Sequence, residues 1–266
     1  MLDPRDIDNA VEALDTAERT RTQTGLLSLK HPTMTMDDAY AVQKAWVSRK
    51  LAAGRMQIGW KIGLTSRAMQ SALNIDIPDS GVLFDDMLFE AGGTVPKGRF
   101  IQPRIEAEIA FILKDTLQGT VSVEDVLAAT DYVATSLEIL DTRILRVDPE
   151  TKRARTIVDT IADNAANAGI VLGRDKIDPR SVDLRWMGAI VSRNGEVEET
   201  GLGAGVLDHP ARGIVWLAER LAQYGEALKP GDIVLAGSFI RPIEARPGDS
   251  ISADFGPHGT IDLHFA

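Results

Sequence analysis

The sequence predicts an α+β fold, with a mixed β-roll or barrel core and a small helical part at the N-terminus. Three observations predict it. Helical periodicity is concentrated in the first 54 residues. Two long apolar segments, 104–113 and 132–140, contain neither Gly nor Pro. The last hundred residues break into short strand-like runs with Gly, Pro or Asn at the turns. Many short strands with few helices between them argue against a doubly wound parallel sheet, where the two element types alternate. Residues 1–54 are read as a helical appendage and 55–266 as the β-roll domain.

The elements follow in order. Over residues 3–22, Ile7, Val11, Leu14 and Ala17 recur every three to four positions with charges between them, which predicts an amphipathic helix. His31-Pro32 breaks the chain. Thr35 then caps a second helix that has acids in its first turn and stops at Gly54, with Ala39, Val42, Trp46 and Leu51 on its buried face. Residues 56–63 read as a strand with two glycines. Thr65-Ser66 caps a short helix over 67–73, and 74–86 reads as a loop on its Pro, Gly and four aspartates. Strand 105–113, a short helix at 122–129, strand 132–140 and a buried strand at 168–172 come next. Asn194-Gly195 between two alternating runs is a strong hairpin signal. His209-Pro210 opens an amphipathic helix carrying Ile214, Leu217 and Leu221, and strands at 232–236, 240–245, 250–255 and 260–265 close the chain.

Composition excludes several classes. The chain has 266 residues, 44% hydrophobic, with a formal net charge of −10 and no cysteine. Disulfides, thiolate metal sites, Fe–S clusters and Cys nucleophiles are therefore impossible. No Lys/Arg-dense run offers a nucleic-acid surface. No apolar run approaches the ~20 residues of a membrane helix, and the N-terminus is charged rather than signal-like. The expectation is a soluble cytoplasmic protein without nucleic-acid or membrane partners. Neither a Gly-x-Ser-x-Gly elbow nor a phosphate-binding glycine motif occurs, and the four histidines show no metal-ligand spacing.

The chemistry-bearing residues lie mostly in the apolar runs. Glu106 and Glu108 sit two apart in a strand, so both carboxylates share one face while Ile105, Ala107 and Ile109 take the other. Glu138 stands alone in the second apolar strand, where an uncompensated charge would cost several kcal/mol. A salt bridge to Arg104 or Arg143 would satisfy it. Alternatively the three glutamates converge as hard oxygen ligands for Mg²⁺ or Mn²⁺. Lys61, between Trp60 and Ile62 and flanked by glycines, suits a role beside an anion, unless it snorkels from a strand end. Asp79 in Pro-Asp-Ser-Gly is a candidate general base or an ordinary turn residue. Ser238, after a strand, could present its hydroxyl to a carboxylate or simply shape a turn.

Several stretches together resemble the hydratase/decarboxylase branch of the fumarylacetoacetate hydrolase superfamily: Lys61-Ile-Gly-Leu-Thr-Ser66, Pro78-Asp-Ser-Gly81, Ile105-Glu-Ala-Glu108, Leu137-Glu-Ile-Leu-Asp141, Asp163-Asn-Ala-Ala-Asn167 and Gly237-Ser238. Asp148-Pro-Glu-Thr151 and His209-Pro210 add to it, and the likeness spans nearly the whole chain. The resemblance implies a mixed β-roll, homo-oligomeric assembly, and Mg²⁺ or Mn²⁺ on three acids that map onto Glu106, Glu108 and Glu138. It implies a 2-hydroxy-2,4-dienoate or 2-oxo substrate bearing a second carboxylate, with Lys61 and Asp79 catalytic and Lys61 and Ser238 binding. A glutamate as third acid, with no matching His before the metal strand, favours hydration or decarboxylation over C–C hydrolysis.

Overall fold

Two antiparallel strands, β5 (Arg104–Leu113) and β6 (Thr130–Leu140), are the longest in the protein and form its spine. The computed structural model describes residues 1–66, 70 and 77–266. Around the spine runs a curled, eight-stranded mixed sheet. Its order is β2 (Asp79–Phe84), β1 (Gln57–Gly63), β10 (Ile233–Leu235), β5, β6, β7 (Asn167–Leu172) and β3 (Leu88–Phe89), with β11 (Ile243–Glu244) also on β5. A second sheet orders β4 (Thr94–Val95), β13 (Thr260–Phe265), β12 (Ser250–Asp254), β8 (Gly188–Arg193) and β9 (Glu196–Leu202).

Alternation decides which face of β5 packs. Ile105, Ala107 and Ile109 are at most 1% exposed and join Leu137 and Ile139 of β6 in the main core. That face is closed by residues from the second sheet and from the helix Ala211–Ala222, whose Ile214, Leu217 and Leu221 are buried as its periodicity predicts. The other face of β5 carries the acids. The hairpin between β8 and β9 turns on Asn194 (φ 55°) and Gly195 (φ 86°), the paired left-handed conformations of a type I′ turn.

The N-terminal helices α1 (Pro4–Thr20), α2 (Leu27–Lys30) and α3 (Met36–Ala52) share a second core cluster with Ile144 and Ile161. Thr35 and Asp38 form a reciprocal capping box at the start of α3. Val42 and Trp46 are buried, but Leu51 is 41% exposed, contrary to expectation. It sits one turn beyond Val47 and lines an open cavity beside α3. Among the described residues no helix is long and apolar enough to cross a membrane.

The principal departure from the sequence reading is at 74–86. Residues 79–84 form strand β2, buried at every position, not loop. Turn-type residues serve here for tertiary reasons. Gly81 lets the Asn164 backbone approach so closely that a Cβ would lie 2.5 Å from its carbonyl oxygen. Asn164 then acts as a substitute strand: Val82 N–H donates to its Oδ1 (2.8 Å) and its Nδ2 donates to Val82 O (2.9 Å). The helix expected over 67–73 lies largely outside the described residues. The strand expected over 240–245 shrinks to Ile243–Glu244, because Pro242 lacks an N–H and Ser238–Ile240 form a turn.

Candidate active site

Strand register alone brings the site together. In the β5–β6 ladder Glu106 is directly opposite Glu138, and Glu108 is opposite Ser136. On the other side of β5, Ala110 pairs with Leu235, which pairs with Lys61 of β1. Gly63, two residues on, pairs with Asp79 of β2. Directly paired residues share a face, as do residues two apart. All five side chains therefore lie on the face of the sheet opposite Ile105, Ala107 and Ile109. β10 ends at Leu235, which opens the sheet between β5 and β1. Gly237 then turns at φ 113° and its N–H donates to Glu108 Oε2 (2.9 Å). A Cβ at 237 would strike Thr65 Oγ1 at 2.1 Å, so glycine is required there.

Like charges directly opposite on a ladder are destabilising, and here three converge. One oxygen from each of Glu106, Glu108 and Glu138 lies within 4.8 Å of the others. Glu108 and Glu138 are buried, and Glu106 is partly exposed at the rim. Both Glu138 oxygens lack a hydrogen-bond partner among the described residues. Its counter-charge is not Arg104 or Arg143 but Lys61, whose Nζ is 3.4 Å from Oε1. Arg143 is instead committed to Asp163 and to the carbonyls of Asp163 and Asn167. Lys61 is 3% exposed, which rules out snorkelling.

Burial and crowding set the ionisation. Desolvation, then the Glu138 charge, push the Glu106 carboxyl up to about 8. Desolvation and both neighbouring glutamates lift Glu108 well above the carboxylate range. Burial also raises Glu138, against the pull of Lys61. For Lys61 burial opposes the charge, but surrounding carboxylates, Glu138 first, outweigh it and hold the ammonium above its ordinary value. Asp79 is 1% exposed with neither oxygen hydrogen-bonded to a described residue, and burial raises its pKa against Lys61 and Arg155. It reaches Lys61 because Gly63 has no side chain: a Cβ there would be 2.2 Å from Asp79 Oδ1 and 3.1 Å from Lys61 Nζ.

These features suit a hard divalent cation. The donor set is all oxygen, two of the oxygens are buried without donors, and the opposed carboxylates need positive charge between them. The histidines do not contribute, and His209 Nδ1 accepts the Ala211 N–H at the start of the 211–222 helix.

Ser238 stands one residue after the Gly237 contact, but its hydroxyl donates to Ile240 O (2.8 Å) and accepts from Ile240 N (3.2 Å). It shapes a turn, and a ligand would compete with that bond. A cavity of about 770 Å³ between α3 and the 211–222 helix, lined by Tyr40, Trp60, Ser80, Val82 and Arg220, lies on the opposite face of β1 and β2 from the acids. The sequence reading assigned no role to Asn164, which holds β2 in place, and took Gly63 as a glycine that lets backbone approach a ligand, whereas it makes room for the Asp79 carboxyl. The signal for Asn164 was a polar Asp-Asn-Ala-Ala-Asn run entering a buried strand.

No protein-family model matches the chain. It is 51% identical over 255 residues to 2-oxo-hept-4-ene-1,7-dioate hydratase of Escherichia coli, covering 96% of both chains. Among solved structures, 4-oxalocrotonate decarboxylase from Pseudomonas putida G7, complexed with magnesium and adipate, superposes with TM-score 0.94. It is 32% identical and covers 100% of this chain and 99% of that one. A fumarylacetoacetate hydrolase family protein from Yersinia pestis CO92 shares the fold alone, at TM-score 0.55 and 14% identity over 78% of this chain and 92% of that one.

Proposed function

The chain belongs to the hydratase/decarboxylase branch of the fumarylacetoacetate hydrolase superfamily, and from that premise we propose that it hydrates 2-oxohept-4-ene-1,7-dioate to 4-hydroxy-2-oxoheptanedioate. It is a hydro-lyase dependent on a divalent metal. The observation that carries the reading is the register: Glu106, Glu108 and Glu138 face one another while Lys61 and Asp79 stand on the same sheet face.

The three glutamates would hold Mg²⁺, with Mn²⁺ as the other candidate. When bound, such an ion supplies Lewis acidity toward a 2-oxo acid. Lys61 orients the anionic end of the substrate and offsets negative charge developing at the C2 oxygen. Burial of the site excludes competing water from that charge. Asp79, its pKa raised by burial, exchanges a proton with substrate carbon as the double bond shifts into conjugation with C2=O. Water then adds at C4, and Asp79 moves the proton between water and C3. Ser238 would reach a substrate carboxylate only by giving up its bond to Ile240. The homoprotocatechuate branch of aromatic catabolism and a homo-oligomeric assembly are the proposed setting.

The nearest rival is decarboxylation, the activity in the name of the structural neighbour. One assay separates them. The dienoate chromophore is followed with five-, six- and seven-carbon 2-hydroxydienoates in Mg²⁺, with CO₂ measured in parallel. Hydration predicts loss of the chromophore without CO₂ and greatest efficiency on the seven-carbon diacid. Stoichiometric CO₂ release would establish the rival, and full activity in excess chelator would refute the metal site.

A further inference from the structure

After β6 the chain leaves the sheet and doubles back on itself. Val147 and Ala154 bridge antiparallel, Arg155 N–H donates to Arg146 O (2.9 Å), and Asp148 N–H donates to Arg153 O (2.9 Å). The Asp148 carboxylate closes the turn by accepting from Glu150 N–H, Thr151 N–H and the Thr151 hydroxyl. Lys152 at φ 59° completes it. This is the Asp-Pro-Glu-Thr motif that the catalytic reading leaves without a task. Its consequence is to set Arg146 and Arg155 side by side.

Neither guanidinium is satisfied. Arg146 Nη2 and Arg155 Nη1 are buried and have no hydrogen-bond partner among the described residues. Nearby Arg143 shows what a structural arginine looks like here, with its nitrogens spent on Asp163 and on backbone carbonyls. Two adjacent cations with unused buried donors are costly unless an anion comes between them. Burial, then each other's charge and that of Arg104, depress Arg146 to about 10. The pair borders the site already described: Arg155 is the second charge, after Lys61, that acts on Asp79. Arg104 adds a third cation on the Glu106 face of β5, roughly 7 Å along the strand.

We propose that Arg146 and Arg155 bind the distal carboxylate of a dicarboxylate substrate, and so select diacids over monoacids of equal length. The proposal rests on the 2-oxo acid reading of the acid cluster and assigns the opposite end of the molecule. A guanidinium fork pairs two N–H groups with two carboxylate oxygens, which an ammonium cannot do. The glutamates repel a second carboxylate at their own end. The arginines offer buried guanidinium donors without a partner among the described residues to receive it.

Calorimetric titration of the Mg²⁺-loaded protein with two unreactive probes tests this. The probes are 2-oxoheptanedioate and 2-oxoheptanoate, which differ only in the distal carboxylate. The wild-type protein should bind the diacid at least about tenfold more tightly, the effect of one charge-assisted hydrogen bond. Arg155→Gln and Arg146→Gln should each reduce that preference toward unity while binding of the monoacid stays within about twofold. Arg155→Lys should fall between. An undiminished preference in both Gln variants would overturn the assignment, as would equal weakening of both probes. Failure of the wild-type protein to bind either probe would instead refute the underlying 2-oxo acid reading, and the proposal with it.

Discussion

Replacing Glu106 by Gln should make the metal-free protein more stable and abolish its stabilisation by Mg²⁺. The three carboxylates lie within 4.8 Å of one another, where two unit charges repel by about 3.5 kcal/mol at an effective dielectric of about 20. Burial first, and this repulsion second, push the Glu106 carboxyl up to about 8 from its ordinary 4.5, so that a proton is retained. A carboxyl raised on folding favours the folded state at low pH. Its penalty begins as pH passes the unfolded value of 4.5 and grows until pH reaches about 8. At pH 7 that span of about 2.5 pH units is worth at most about 3.4 kcal/mol. Partial exposure of Glu106 reduces it to about 1–2 kcal/mol, which for a chain of this size is a rise of roughly 2–8 °C in melting temperature. Wild-type protein should gain about 2.7 kcal/mol from Mg²⁺ at a hundredfold excess over Kd, with release of protons, and the variant almost none. Scanning calorimetry in chelator and in Mg²⁺, at pH 6 and pH 8, reads both effects. A lower melting temperature for metal-free Glu106→Gln, or an unchanged Mg²⁺ shift, would refute the reasoning.

Three further outcomes are expected. Asp79→Asn should cut turnover by about 10²–10⁴ while leaving affinity for an unreactive 2-oxo acid within a few-fold, since proton transfer and not binding is removed; unchanged turnover in steady-state assays would take Asp79 out of the mechanism. Gly63→Ala should act through Asp79: a Cβ at 2.2 Å from Oδ1 must displace that carboxyl, so activity should fall at least tenfold with Mg²⁺ affinity retained, as titration would show. Asn164→Ala removes its two side-chain bonds to Val82 and leaves the buried Val82 N–H unpaired, while the Val82 carbonyl keeps its bond from Asn167 Nδ2, so denaturant unfolding should show a loss of about 1–3 kcal/mol.

How much of the site was legible can be judged residue by residue. Glu106 and Glu108 share a face by the two-residue period of a strand, and no partner is needed to know it. Glu138 announced itself as a charge isolated among apolar neighbours, and Lys61 did the same. Asp79 was legible as a candidate but was placed on a loop. Its Pro-Asp-Ser-Gly context carries strong local turn signals, and the groups that make it a strand, the β1 backbone and the Asn164 side chain, are remote in sequence. Arg146 and Arg155 gave no signal, because an arginine in a charged stretch is ordinarily a solvated surface group.

The sequence by itself determined the composition limits, the helical start and strand-rich remainder, and the candidacy of the five residues that the structure brings to one face. These follow from local periodicity and from the cost of burying charge, both readable along one segment. Only the tertiary structure decided that Glu106 faces Glu138, that Lys61 and not an arginine neutralises it, and that Ser238 spends its hydroxyl on its own turn. Those facts depend on strand register and on where β10 ends. A shift of one residue in the β5–β6 pairing would carry Glu138 to the apolar face, and nothing local to either strand prevents it. The packing of Ile105, Ala107 and Ile109 against Leu137 and Ile139 does, and that contact exists only in the folded molecule.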